Sequence, residues 1–364
     1  MRCKKGKNMD IAAIDPRLGA CEVKEKDVVW YKADTEGFSL HGVFFDEVNG
    51  HYRRMPKEIA EKVSAGVAGL SRCTSGGRLR FRTDSPYVAI RAIIPANNPM
   101  AHMPLSGSHG FSVYAAGRCV GKVTPTVKDV TTPGDNRPTF AGSCSCYAPA
   151  GMHDVEIYFP LYCGVFRVEI GLKEGASIEP ATPYKIKKPI VVYGSSIIQG
   201  ACATRPGNDV VSYLSRMFDA DIVNLGFSGC GNSEAEMIDY LCSLEASCII
   251  FDHNYYVDRT DRVIPEHYSV YRRLRDAHPD IPIIMVDKPG CDYDKRGYDA
   301  RREMMMTTYR KAIAEGDKKV AVIDAYDFFG DDYRDSCLVD LCHPTDLGFL
   351  RMAQTIEKVL KPLL

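Results

Sequence analysis

The 364-residue sequence contains no apolar stretch near the roughly 18 to 20 residues that a membrane-spanning helix needs. Its first ten residues, MRCKKGKNMD, are basic with no apolar run behind them, so secretion by a signal peptide is not expected. An excess of one charge is missing too. The 46 Lys and Arg against 47 Asp and Glu leave a formal net charge of -1, which gives no electrostatic reason to expect nucleic acid or an anionic membrane as partner. The 14 cysteines form no C-x-x-C pair and the 9 histidines no H-x-x-x-H pair, so the spacing points to no metal site. Dispersed cysteines in a large leaderless chain are expected to be reduced and buried, and the expected location is the cytoplasm. Internal repeats and low-complexity tracts are lacking. Tryptophan occurs once, at Trp30, where a core role and a sugar-stacking role both stand open.

What is present divides into two patterns. With 45% hydrophobic and 26% charged residues the chain can build substantial cores, and its length favours two domains over one. Residues 1-26 form an N-terminal extension. Residues 27-183 carry short β-branched or aromatic segments between Gly, Pro, Asn and Asp, such as RLRFRTDS, YVAIRAIIP and HDVEIYFP, and period-two alternation at Arg78 to Arg82 predicts an all-β sandwich. Within it, PKEIAEKV (Pro56 to Val63) reads as one or two helical turns, and for Arg53 and Arg54 a reach into the cleft stands beside the commoner outcome of surface charges.

After an Ala-, Pro- and Ser-rich stretch the pattern changes, and residues 184-364 alternate strands with helices. Strands are predicted at Ile190 to Tyr193, Ile222 to Leu225, Cys248 to Phe251, Ile281 to Val286 and Val320 to Ile323. Helices are predicted at Asp209 to Phe218, Glu234 to Leu244 behind a Ser233-x-x-Glu236 capping box, Glu266 to Ala277, within Tyr298 to Glu315, and Leu347 to Leu360. Five strands in this arrangement imply an α/β domain whose parallel sheet lies between helices, with its ligand site beyond the C-terminal strand ends.

Two clusters carry chemistry. Gly194-Ser195-Ser196 follows the first parallel strand, and Asp340-Leu341-Cys342-His343 lies near the C-terminus. A serine hydroxyl is a weak nucleophile at neutral pH and needs a histidine to take its proton and a carboxylate to orient that histidine. Ser196, His343 and Asp340 suit those roles, with Ser195 a rival nucleophile and Asp335 or a backbone carbonyl a substitute for Asp340. Donors for a developing oxyanion are expected from the neighbouring strand ends, where Gly229 lies in NLGFSG and Asn254 in DHN.

These blocks resemble the SGNH (GDSL-type) hydrolases over about Lys185 to Leu364, all four occurring in the family's order. The resemblance implies a flavodoxin-like domain with Ser196 as nucleophile, the Ser196 N–H with Gly229 and Asn254 as oxyanion hole, and Asp340 and His343 completing the triad. It departs in having Ser195 for the common Asp, and Asp252-His253 before the asparagine. HMPL (His102 to Leu105) followed by Gly110-Phe111-Ser112-Val113-Tyr114 is similar to the Gly-x-Asp-Leu-Tyr motif of the jelly-roll-like β-sandwich that precedes certain SGNH esterases, with Ser112 and Val113 departing from it. Members of that two-domain group act on carbohydrates, which implies an O-acetylesterase needing no cofactor and no metal, with an acetyl ester of a sugar or oligosaccharide as substrate. A short-chain lipid esterase or lysophospholipase of the same superfamily, and an inactive glycan-binding protein, are the alternatives; homo-oligomerisation is left open.

Overall fold

The computed structural model describes residues 14-15, 20-131, 139-147, 151-252, 266-293 and 295-364. Its N-terminal part is a sandwich of antiparallel sheets. One sheet runs Val28–Lys32, Arg167–Lys173, Tyr87–Ile93, Phe140–Ser145. The other runs Ile178–Glu179, Arg78–Thr83, His153–Tyr158, Phe111–Ala115, Arg118–Val123, with Ser39–His41 also paired to Arg78–Thr83.

Register explains why these strands stay paired. Leu79, Ile157 and Val113 stand opposite one another across three strands, as do Phe81, Val155 and Ala115. All six face a core shared with Val88, Ile90, Val168 and Ile170 of the other sheet. On the opposite side Arg80 and Arg82 face Glu156 and Asp154 across the ladder. A one-residue slip would exchange the two sets, so burial specifies the register. Trp30 is not among the fully buried core residues. It lies half-buried on an edge strand with the Arg91 guanidinium 4.3 Å from its ring centre.

The C-terminal part is a five-stranded parallel sheet in the order Ala220–Gly226, Ile186–Gly194, Cys248–Phe251, Ile283–Val286, Val320–Ile323. The second strand in sequence thus lies outside the first, and the remainder follow on its other side. Successive residues alternate between two cores, as strands buried on both faces require. Ile190, Val192, Ile222, Ile250 and Ile284 enter one core, covered by the helices Val210–Phe218 and Asp346–Leu360. Val191, Tyr193, Leu225, Ile249 and Met285 enter the other, covered by Ala235–Ser243, His267–Ala277 and Lys295–Ala314.

Two further helices cover that second face, and they come from the N-terminal half. Lys57–Val63 and Ala65–Leu70, the latter capped by Ser64 Oγ accepting from Val67 N at 3.2 Å, place Ala60, Val63 and Val67 in the core of the parallel sheet. The predicted capping box at Ser233 is not formed. Ser233 takes φ +56°, its N–H donates to Tyr193 Oη at 2.7 Å, and Glu234 occupies the cap position of the helix. No described helix is long and apolar enough to cross a membrane.

Candidate active site

The sheet order reverses on either side of Ile186–Gly194, which opens a crevice at its C-terminal end. A side chain at Gly194 has no room, because its Cβ would stand 2.6 Å from Ile198 Cγ1 and 3.1 Å from Asp252 Cβ. The chain turns through extended Ser195 into the short helix Ser196–Gln199, which Gly200 ends at φ +94°. Ser196 Oγ lies 2.8 Å from Nε2 of His343. Ser195 is fully buried and its hydroxyl turns the other way, 3.5 Å from Asp252 Oδ2.

His343 is carried by a loop tied at both ends. Thr345 N donates to Cys337 O at 2.9 Å, Val339 N donates to His343 O at 2.8 Å, and Thr345 Oγ1 caps Asp346–Leu360. Within the loop Asp340 Oδ2 is 2.8 Å from His343 Nδ1, while Oδ1 accepts from His343 N at 2.7 Å and Cys342 N at 3.2 Å. Partial burial acts to raise the Asp340 pKa, but these donors outweigh it and hold the carboxyl below the usual carboxylate range. A carboxylate there favours the tautomer with its proton on Nδ1, leaving the Nε2 lone pair towards Ser196. Asp335 starts a separate 3-10 turn, Asp335–Cys337.

Donor atoms of Asp340, Cys342 and His343 all lie within 4.8 Å of one another, a separation that would also suit a metal. The Asp340 oxygens and the two His343 nitrogens are nevertheless engaged in the chain running from carboxylate to imidazole to hydroxyl. That chain is suited to moving a proton off Ser196.

The neighbouring strand end, Ala220–Gly226, leads into Phe227 to Gly231. Phe227 N donates to Gly194 O at 2.9 Å, and Ser228 N donates to Gln199 Oε1 at 2.8 Å, so the turn is fastened to the serine-bearing segment. A glycine suits position 229 by its left-handed φ of +72°, and among the described residues nothing lies within 4 Å of a Cβ placed there. Gly231 packs tightly on the serine-bearing segment, where a Cβ would stand 2.8 Å from Gly194 O. Asn254 lies outside the described residues, as does His253.

Asp252 ends the third strand and is buried behind Ser195. Burial and then the charge of Asp287 push its pKa up to about 7, against the pull of Arg301, Lys288 and the Ser195 hydroxyl. Asp287 is pushed up to about 6, again chiefly by burial.

Arg53 and Arg54 are not surface charges, the commoner of the two outcomes expected for them, but are 4% and 3% exposed. Arg53 pairs with Asp46 at 2.6 Å. Arg54 Nη1 donates to Asn224 O at 3.0 Å and Gly226 O at 2.7 Å, Nη2 donates to Leu70 O at 2.9 Å, and Nε donates to Cys73 O at 2.8 Å. Its guanidinium also lies 4.6 Å from the Phe227 ring centre. Burial lowers its pKa to about 10, which leaves it charged at neutral pH. Tyr162 Oη donates to Ser196 O at 3.3 Å, and Tyr114 of the Gly110 to Tyr114 motif accepts from Arg205 Nη1 at 2.7 Å. No local spacing marks Arg54, Tyr162 or Gln199, because their partners are distant in sequence.

Residues 187-361 match the family model described as the GDSL-like Lipase/Acylhydrolase family, and residues 28-178 match GxDLY, described as the N-terminus of Esterase_SGNH_hydro-type. No curated protein sequence matches the chain. Among solved structures, a protein of Bacteroides ovatus described by likeness as a GDSL-like lipase is 27% identical, with a TM-score of 0.73, covering 92% of this chain and 98% of its own. The salicylyl-acyltransferase SsfX3 from a tetracycline biosynthetic pathway is 21% identical with a TM-score of 0.72, covering 93% and 98%. A family two carbohydrate esterase from Clostridium thermocellum, in complex with cellohexaose, is 13% identical with a TM-score of 0.53, covering 89% and 99%.

Proposed function

Because the chain belongs to the GDSL-type SGNH hydrolases with a GxDLY-type N-terminal domain, we propose that it removes O-acetyl groups from a carbohydrate as a serine esterase. The observation that carries the reading is the hydrogen-bonded succession Asp340, His343, Ser196 at the end of the first parallel strand. Ser196 Oγ attacks the ester carbonyl as His343 Nε2 takes its proton, and Asp340 stabilises the imidazolium so formed. Collapse of the tetrahedral intermediate breaks the bond to the alcohol, which leaves with the proton from Nε2. Water then repeats the sequence on the acetyl-enzyme. The Ser196 N–H, Gly229 and Asn254 are the proposed oxyanion donors, and no cofactor enters the proton or electron accounting. Carbohydrate as the alcohol component is supported by the fold-level likeness to a carbohydrate esterase.

The test is release of free acetate from a panel of O-acetylated mono- and oligosaccharides, alongside p-nitrophenyl esters of increasing chain length and fluorophosphonate labelling of Ser196. We expect acetate release with EDTA present and a steep fall in kcat/KM from acetate to butyrate, since a tight acyl pocket strains against added methylenes. Preference for octanoate would instead select a lipid esterase. Acetyl consumption without free acetate, in the presence of an added alcohol, would select transfer over hydrolysis. Failure both to label and to turn over any ester would leave a glycan-binding role.

A further inference from the structure

His102 comes from the N-terminal half of the chain, yet its ring centre lies 6.2 Å from that of His343, with the planes tilted by 42°. The two rings are therefore neighbours without being stacked. His102 is exposed, and 19% of the His343 side chain remains open to solvent.

The segment carrying His102 is firmly seated. Met103 beside it is 3% exposed and belongs to the core formed with Ile197 and Ile198, the residues that follow Ser196. Ser106 Oγ donates to Thr204 O at 2.6 Å, and Leu161 N donates to Gly107 O at 3.2 Å. A side chain on Gly107 would run into the Ala203 carbonyl. His102 is thus fixed at its base by contacts with the serine-bearing segment. Among the described residues, neither of its ring nitrogens has a hydrogen-bond partner.

The chemistry of ester cleavage says what must occupy that neighbourhood. Nε2 of His343 delivers the proton to the departing alkoxide, so the alcohol lies against Nε2 and Ser196 Oγ and extends from there towards solvent. His343 Nδ1 is held by Asp340 on the far edge of the ring. An exposed imidazole whose ring centre is 6.2 Å from that of His343 is within reach of the substituents of an alcohol held there. One neutral imidazole nitrogen donates and the other accepts, which matches hydroxyl groups and offers nothing specific to an alkyl chain.

We propose that His102 is a substrate-contacting residue that hydrogen-bonds a free hydroxyl of the leaving polyol, so that the N-terminal domain helps select the alcohol. The inference rests on the serine-esterase reading and adds a selectivity residue to it.

The experiment compares His102→Ala and His102→Gln with the unmodified protein on three acetates: a mono-O-acetylated methyl xyloside, glycerol monoacetate and p-nitrophenyl acetate. The first two release alcohols with free hydroxyls and the third does not. Loss of one hydrogen bond in ground and transition states alike should raise KM for the two polyol esters about tenfold at nearly constant kcat. Activity on p-nitrophenyl acetate should stay within about twofold, and His102→Gln should recover part of the loss. Unchanged kinetics on the polyol esters would overturn the proposal. So would a common loss on all three esters, which would mean that His102 acts through His343. Unmodified protein that cleaves glycerol monoacetate but not the xyloside would reject the carbohydrate reading while leaving His102 measurable. Inactivity on all three esters would overturn both.

Discussion

Ser195 and Ser196 are adjacent in the chain and diverge at their hydroxyls: Ser196 Oγ lies 2.8 Å from His343 Nε2, whereas Ser195 Oγ faces Asp252 at 3.5 Å. Only one of them can pass its proton to the imidazole. Ser196→Ala should reduce acetate release by several orders of magnitude and abolish fluorophosphonate labelling, while Ser195→Ala keeps more than about a tenth of the activity. Labelling that survives in Ser196→Ala and disappears in Ser195→Ala would reassign the nucleophile.

Asp340 divides its oxygens between the imidazole and two backbone donors. An asparagine can retain one accepting oxygen, but its amide group is itself a donor and cannot oppose Nδ1–H or stabilise the imidazolium. Asp340→Asn should therefore lower kcat by about 10²- to 10⁴-fold with the loop still folded, a smaller loss than for His343→Ala. Full activity in Asp340→Asn would mean that another group orients the ring.

The parallel sheet and the Asp340, His343 pair were legible because each depends on local pattern, and Ser196 stood out by its place just after the first parallel strand. Cys248–Phe251 and Val320–Ile323 are short apolar runs bounded by turns, and Asp340 lies three residues from His343 within one loop. What escaped depends on distant partners. Arg54 resembles a surface charge until the carbonyls of Asn224 and Gly226, some 170 positions later, surround it. The same holds for Lys57–Val63, whose apolar positions match the parallel sheet and not the sandwich that surrounds it in sequence. Ser233 is not the cap because its backbone is left-handed, at φ +56°, and the helix starts one residue later behind Glu234.

Asp252 makes stability depend on pH in a direction opposite to that of most carboxylates. Its folded pKa is about 7, against about 3.9 for an unperturbed Asp. Between those values the folded protein holds a proton that the unfolded chain has released. The stabilisation from this group is thus fully present below about pH 4 and lost as the pH rises through about 7. Asp287 acts in the same sense up to about 6. Asp252→Asn cannot ionise, so its Tm should fall less than that of the unmodified protein between about pH 5.5 and 8.5, with the largest difference at the alkaline end. Parallel Tm curves across that range would refute the assignment.

Two buried arginines grip opposite ends of the strand Ala220–Gly226, and the difference between them separates positioning from stability. Arg78 is fully buried at the start, paired with Asp221, with Nη1 donating to Gly76 O at 2.7 Å. Arg54 holds the end that leads into Ser228 and Gly229, with no carboxylate pairing it among the described residues. Replacing either by Met leaves several carbonyls without a donor, so both variants should melt lower. Only Arg54→Met frees the turn proposed to carry an oxyanion donor. We expect it to lower kcat for p-nitrophenyl acetate by about 10- to 100-fold with KM within about threefold, because such a donor bonds the transition state more strongly than the bound ester. Arg78→Met, measured well below its melting temperature, should retain kcat within about threefold. Equal losses of kcat in the two variants would reduce Arg54 to a structural tie between the halves of the chain.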